Sequence, residues 1–344
     1  MTEYKNMDSH VDTAHQTHTV TMVDALNLAM RRAMIEDDNV VMLGEDIATN
    51  GGVFRVTEGL KDTFGVRRVM DTPLSETLIA GMAVGLATQG IRPVAEIQFM
   101  GFIYSIMEHV VSHASRMRNR TRGRLTCPLV IRAPFGGGIH APEHHSESTE
   151  AMFAHIPGLR VVIPSSPGRA YGLLLGAIRS NDPVLFLEPK RIYRSFKQNL
   201  VDTGQALPLD SCFVLKEGTD ITLVSFGAMI QETLEVAKTL EAEGVSTEVI
   251  DVASIKPLDS LTIVDSVKKT GHCIIIHEAA QSYGPAGEII ARIQEEAFFY
   301  LRAPVGRVCG FDIPMPYFKN ENMYMPDQMQ ILECAHKTLK ISQG

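Results

Sequence analysis

Within Asp71-Thr72-Pro73-Leu74-Ser75-Glu76, followed by Gly81-Met82-Ala83-Val84-Gly85, one acidic side chain stands where a strand should give way to a helix. Val66 to Met70 reads as a strand running into a proline-bounded turn, and Leu78 to Leu86 as a helix of small residues. Glu76 then falls in the first helical turn at the carboxyl edge of a sheet, a place from which a carboxyl can share a proton with a bound group. The plainer alternative is structural: Ser75 caps the helix and Glu76 complements its dipole. A second cluster of reactive types is the loop Phe135-Gly136-Gly137-Gly138-Ile139-His140-Ala141-Pro142-Glu143-His144-His145. His140, Glu143 and His144 have the chemistry of metal ligands. Pro142, however, interrupts the helix that an i, i+4 ligand pair requires, and no H-E-x-x-H is present. A metal hydrolase is therefore the remote reading of this loop, and its glycines suit a flexible or closely packed segment.

The elements that must position these residues alternate in type. Largely apolar runs at Val40-Val41-Met42-Leu43, Pro93 to Ile97, Pro128 to Ile131, Leu159 to Ile163 and Val184 to Leu187 read as strands buried on both faces. Helical periods intervene at Val23 to Glu36, Tyr104 to Arg122 and Gly168 to Arg179. The pattern loosens through Leu207-Pro208-Leu209 and restarts, with strands at Asp220 to Phe226, Thr247 to Val252 and Cys273 to His277. Helices follow at Gln231 to Glu243, Ser260 to Lys269 and Ala286 to Phe298. This predicts an α/β protein with a parallel sheet covered by helices over residues 19–197, a linker over 198–215 and a smaller α/β domain over 216–344. Neither half contains G-x-G-x-x-G or a phosphate loop.

Composition narrows the function classes. The chain has 344 residues, 45% of them hydrophobic, and a formal net charge of −8, which disfavours nucleic acid as a partner and suits about two buried cores. No apolar run approaches the roughly 18 residues of a membrane span. Residues 1–18 are polar, carry His10, His15 and His18 without an apolar signal core, and read as a disordered arm. Cys127, Cys212, Cys273, Cys309 and Cys334 are odd in number and never form C-x-x-C, arguing against a disulfide framework or a zinc site and for a reducing, cytoplasmic setting.

From Thr21 to Leu339 the chain resembles the beta subunit of the thiamine-diphosphate-dependent decarboxylase component of 2-oxoacid dehydrogenase complexes. The likeness is carried by Leu43-Gly44-Glu45-Asp46, Asp71 to Glu76, Arg92-Pro93-Val94-Ala95-Glu96-Ile97-Gln98-Phe99, His145-Ser146-Glu147-Ser148, Pro157 to Pro164 and Phe186-Leu187-Glu188-Pro189-Lys190. His277-Glu278-Ala279 and Arg307 to Asp312 add to it in the C-terminal half. The family's glutamate motif is met by Glu76, Gly81, Met82 and Gly85, with Leu86 standing where glutamine is usual.

The resemblance implies a transketolase-like pyrimidine-binding domain followed by a transketolase C-terminal-type domain, with thiamine diphosphate bound at a subunit interface in an α2β2 heterotetramer. The alpha subunit would hold the diphosphate and magnesium; no G-D-G with a following Asn-Asn occurs here. Glu76 would hydrogen-bond the pyrimidine N1′ and promote the imino tautomer that activates the thiazolium, its pKa raised by apolar burial. Glu45 corresponds to an acid between paired active sites that assists proton transfer, or else is an exposed loop acid. Gln98 and Phe102 correspond to positions lining the cofactor pocket, with Phe102 packed on the aminopyrimidine or in ordinary core. His145 aligns with a histidine at the active-site mouth that helps stabilise or protonate intermediates, its alternative being a solvated loop histidine. Structural potassium would be held by backbone carbonyls of Leu129, Ala177, Ile178, Ser180 and Asp182.

The activity so implied is oxidative decarboxylation of a 2-oxoacid with acyl transfer to the lipoyl arm of an acyltransferase core. Pyruvate leads, from the glycine-rich loop. Branched-chain 2-oxoacids and acetoin are alternatives, and a noncatalytic scaffold is a further one. The negative charge is compatible with a basic partner.

Overall fold

The computed structural model describes residues 17–341, so the N-terminal arm expected over residues 1–18 lies outside the described residues apart from Thr17 and His18. In chain order the strands are β1 (Thr17–Val20), β2 (Val40–Gly44), β3 (Val69–Asp71), β4 (Arg92–Glu96), β5 (Val130–Phe135), β6 (Arg160–Val162) and β7 (Val184–Pro189). They continue as β8 (Gln198–Val201), β9 (Phe213–Lys216), β10 (Ile221–Ser225), β11 (Thr247–Asp251), β12 (Ser254–Lys256), β13 (Cys273–Ala280) and β14 (Gly306–Gly310). A seven-stranded sheet runs β12-β6-β7-β5-β4-β2-β3 and a five-stranded sheet β14-β13-β10-β11-β9, with β1 and β8 forming a separate ribbon. Within the larger sheet every pairing is parallel except that of β12 with β6. The α/β expectation is met.

The larger sheet is buried on both faces, which is why its strands read as apolar runs rather than alternating ones. On one face the helix Met22–Glu36, opened by a Thr21–Asp24 capping box, packs with the helix Pro167–Arg179, which starts from a Ser166 cap and Pro167. On the other face the helix Glu76–Thr88 contributes Ile79, Ala80, Ala83 and Ala87. That second core is continuous with Val224, Ile250, Ile263, Ile275 and Ile289 of the C-terminal half, so the two sheets share apolar packing.

Inside the larger sheet, Arg132 on β5 is 1% exposed and joins its neighbours by charge. Its Nη1 meets Glu96 Oε2 of β4 at 2.9 Å, while Nε and Nη2 meet the two oxygens of Glu188 on β7 at 2.7 and 2.9 Å. Tyr193 donates a further bond to Glu188 at 2.6 Å.

Several expectations are revised. The helix expected from Tyr104 to Arg122 is broken into a 3-10 segment (Met100–Ile106), a π-helical turn (Glu108–Ala114) and a short α-helix (Met117–Arg120). The wide turn leaves Ser115 N–H on Val110 O at 3.0 Å, and the Ser115 hydroxyl also bonds Val111 O. The strand expected from Val66 begins only at Val69, because Gly65, at φ +79°, turns the chain and its carbonyl accepts from Arg68 and Val69. Within residues 198–215, β8 pairs antiparallel with β1. Downstream, β12 leaves the C-terminal half to pair with β6, fixing the edge of the larger sheet with a strand from the other half.

Candidate active site

The sheet order places the candidates. β5, β4, β2 and β3 are adjacent and parallel, so their carboxyl ends form one rim, the usual position for ligands in such sheets. Glu45 follows β2, Glu76 follows β3, Gln98 and Phe102 follow β4, and His145 lies in the loop after β5. All five residues assigned to catalysis or cofactor contact thus stand along a single edge. The potassium positions stand elsewhere, toward the amino ends of β5 and β7.

Glu76 is the first residue of its helix, whose N-cap Ser75 accepts from Leu78 N–H at 3.4 Å. It is half-buried, and its flanks Leu74, Leu78 and Met82 are exposed. Burial raises the Glu45 carboxyl above its ordinary value, and the nearby carboxylates of Asp46 and Glu76 add to that rise.

The two acidic segments are tied together by Asp71. Its carboxylate accepts from Ala48 N–H at 2.7 Å and from the Thr49 N–H and hydroxyl at 3.2 and 2.7 Å, while Thr72 N–H reaches Gly44 O at 3.0 Å. Burial alone would raise Asp71, but these donors outweigh it and hold the carboxyl below its ordinary value. An open groove of about 400 Å³ lies alongside, lined by Asp71, Thr72, Pro73, Leu78 and Met82.

After β4 the chain presents an aromatic wall. Phe99 stacks edge-on with His145 at 4.3 Å and with Phe102 at 5.9 Å, and Phe102 lies 5.4 Å from His145 and 5.3 Å from His144. Gly101 allows this: a Cβ there would overlap the His144 carbonyl oxygen. Burial pulls the His145 imidazole below its ordinary value, helped by His144 and Lys190 and opposed by Glu143. Thr77 Oγ1 donates to Ser105 O at 3.0 Å, joining the start of the Glu76 helix to the segment that carries Phe102.

The loop histidines diverge. His140 Nδ1 faces Glu321 Oε2 at 3.0 Å and Phe318 O at 3.1 Å, whereas His144 and His145 turn to the aromatic wall. Among the described residues no group of three or more His, Cys, Asp or Glu is placed to hold a metal ion.

The potassium carbonyls are partly engaged. Leu129 O accepts from Val184 N–H at 2.8 Å, Ala177 O from Ser180 N–H at 3.1 Å, and Asp182 O from Ser180 Oγ at 3.1 Å. Arg92 Nη1 donates to Ile178 O at 3.1 Å and Ser180 O at 2.9 Å. Each carbonyl keeps a second lone pair, but Arg92 already places a guanidinium on two of them.

Sequence reasoning left Asp71, Phe99 and Gly101 without a role. The signal for Asp71 is an acid at a strand end beside a proline turn, a common place for side-chain acceptance of loop amides. Phe99 and Gly101 carry no such signal, since their function is contact with His145 and His144, 46 and 43 residues further along the sequence.

The site's own polar atoms invite a ligand. His145 Nδ1 and Thr72 Oγ1 are buried without a partner among the described residues, as expected where a bound polar group supplies the missing contacts. The description "Transketolase, pyrimidine binding domain" matches residues 18–195, and "Transketolase, C-terminal domain" matches residues 211–331. The pyruvate dehydrogenase E1 component subunit beta of Acholeplasma laidlawii is 49% identical over 93% of this chain and 98% of its own length. That of Bacillus subtilis is 46% identical over 93% and 99%, and that of Staphylococcus aureus 44% over the same shares. This chain belongs to the pyruvate dehydrogenase E1 beta-subunit family. Among solved structures, a split-gene transketolase described as an inactive β4 tetramer superposes with a TM-score of 0.78, covering 94% of this chain and 99% of its own at 22% identity. That likeness speaks for the two-domain fold alone. The family membership rests on the sequence relatives.

Proposed function

We propose that this chain is the beta half of a thiamine-diphosphate-dependent pyruvate dehydrogenase component, completed by an alpha chain in an α2β2 assembly. The observation that carries the shared site is the state of Glu76: an acid at the sheet's carboxyl rim, half-buried, with Leu74 75% exposed and Leu78 46% exposed beside it. Exposed apolar side chains around a proton-sharing group suit a surface that a second subunit covers.

Thiamine diphosphate, when bound, supplies the electron sink for decarboxylation. The residues of this chain do the rest of the local work. Glu76 would hold a proton at the pyrimidine edge. Gln98 and the Phe99–Phe102 wall would flank the ring and exclude water. His145, with its free Nδ1, would hold or donate a proton at the mouth, and Glu45 would pass charge toward Glu76. Magnesium would belong with the diphosphate on the alpha chain, potassium with the carbonyls around Ser180, and the acyl group would leave on a lipoyl arm of an acyltransferase core. The working compartment in this reading is the cytoplasm. No described helix is long and apolar enough to cross a membrane.

The test is dye reduction by this chain co-expressed with its alpha partner, with thiamine diphosphate and magnesium, comparing pyruvate, 3-methyl-2-oxobutanoate and acetoin. Turnover of pyruvate above the others, requiring both chains, is the expected result. Preference for the branched acid or acetoin would reassign the substrate, and no turnover by a cofactor-loaded heterotetramer would leave a scaffold role.

A further inference from the structure

We propose that Lys190 and Glu278, one from each half of the chain, are positioning residues that fix the His145 loop against Phe99. The inference rests on the reading of His145 as an active-site residue.

The loop runs from Gly136 at the end of β5 to Thr149, and both of its ends converge on these two side chains. At the near end the Gly136 carbonyl accepts from Lys190 Nζ, and the Gly136 N–H donates to Glu147 O at 2.9 Å, closing the loop on itself. Gly136 has φ +81°, and a Cβ on it would overlap Glu278 Oε1. At the far end Ser148 Oγ donates to the same Glu278 Oε1 at 3.0 Å. Glu278 lies on β13 in the smaller sheet and Lys190 just beyond β7 in the larger, so the grip spans both halves.

The two groups are 4% and 3% exposed, too dry to hold isolated charges at low cost; Glu278 lies in the field of Arg191 and Lys190, and Lys190 in that of Glu278 and Glu321. Burial pulls the Lys190 ammonium down to about 8 against the pull of Glu278 and Glu321. Burial likewise pushes Glu278 up, against Arg191 and Lys190. Lys190 also reaches beyond the loop ends: its Nζ stands 6.0 Å from the centre of the Phe99 ring, and that ring carries His145 at 4.3 Å. The C-terminal half places none of its own candidates at the rim. Through Glu278 it nevertheless bears on where His145 sits.

The experiment uses the cofactor-loaded heterotetramer with Lys190→Met, Lys190→Arg, Glu278→Gln, Ser148→Ala and His145→Asn, and the double variant Lys190→Met/His145→Asn. It reads kcat and KM for pyruvate, and amide hydrogen exchange of the peptide covering residues 136–149. Lys190→Met is expected to lower kcat on the order of 10- to 100-fold, the scale of a displaced catalytic group, with faster exchange in that peptide and partial rescue by Lys190→Arg. The double variant should be no slower than His145→Asn alone. Ser148→Ala removes only the far-end contact, and should speed exchange there even if Lys190→Met fails to assemble. Unchanged exchange in the peptide, or losses that simply multiply in the double variant, would overturn the proposal. A His145→Asn enzyme with full activity would instead strike the functional reading, while the exchange data would still report on the loop.

Discussion

Glu76 owes its reach to being the first residue of a helix, where the backbone fixes the side chain at the rim and the chain itself leaves one flank open. Replacing it with Gln keeps the size and the Ser75 cap but removes the proton. In the assembled enzyme, Glu76→Gln is expected to lose roughly 10²- to 10⁴-fold in kcat. The thermal midpoint should move little, because an acid in the first turn contributes only about 0.3–1 kcal/mol through the helix dipole. Steady-state turnover beside a melting curve separates the two effects, and full activity would remove Glu76 from the chemistry. His145 gives a second residue-scale outcome. Burial, with His144 and Lys190, holds its pKa below the ordinary 6.5. As a proton donor it is depleted as pH rises, so the pH–rate profile should decline toward alkaline pH, and His145→Asn should lose that limb.

At the scale of elements, the site depends on segments that must approach more closely than ordinary side chains allow. Gly101 sits in the 3-10 segment after β4 with no room for a Cβ beside the His144 backbone. Gly101→Ala must push the His145 loop away, with an expected cost of about 1–3 kcal/mol and a matching fall in turnover, checked by thermal unfolding and kinetics on the same preparation. The strands beneath are held by Arg132. Arg132→Met would leave Glu96 and Glu188 buried without their cation, and should cost about 3–5 kcal/mol in denaturant unfolding.

Much of this scale was legible in the residues: the apolar runs marked β2, β4, β5, β6 and β7, and the helical period from Gly168 to Arg179 marked the helix that the structure places at Pro167–Arg179. The break of the Tyr104–Arg122 segment was not, because its period is helical throughout and the π-turn arises from tertiary packing, with the Ser115 carbonyl standing where Gly158 leaves space for it. The strand β12 was hidden for a similar reason. Its three residues have no strand pattern of their own and pair only because β6 offers an open edge. For the site, Glu76 and His145 could be placed on loops and helix ends from the sequence, while the Phe99 wall depends on a fold-level meeting that no local pattern records.

For the whole molecule the question is what the junction between the halves does besides holding them. It buries groups whose ionisation opposes folding from opposite sides of neutrality. Glu150 is 0% exposed, its carboxyl oxygens find no hydrogen-bond partner among the described residues beyond its own backbone, and burial, with Glu278 adding to it and that backbone group opposing, pushes its pKa from 4.5 up to about 8. Between those values the folded chain keeps a proton that the unfolded chain releases, so its stabilising effect is complete below pH 4.5 and is lost as pH rises through about 8. His277, 0% exposed on β13, is pulled by burial from 6.5 to about 4. There the unfolded chain binds a proton first, so stability present above pH 6.5 is lost as pH falls toward 4. The two signs can be separated by one substitution. Glu150→Gln cannot ionise, so its stability relative to the parent should be nearly constant below pH 4.5 and climb steadily above it, gaining on the order of 3 kcal/mol by pH 7. The acid-side loss from His277 should remain in both proteins. Thermal midpoints across this range decide the matter: a parent-to-variant difference that does not change with pH would mean that Glu150 ionises as an ordinary carboxyl, with solvent or a partner reaching the oxygens that the fold leaves alone.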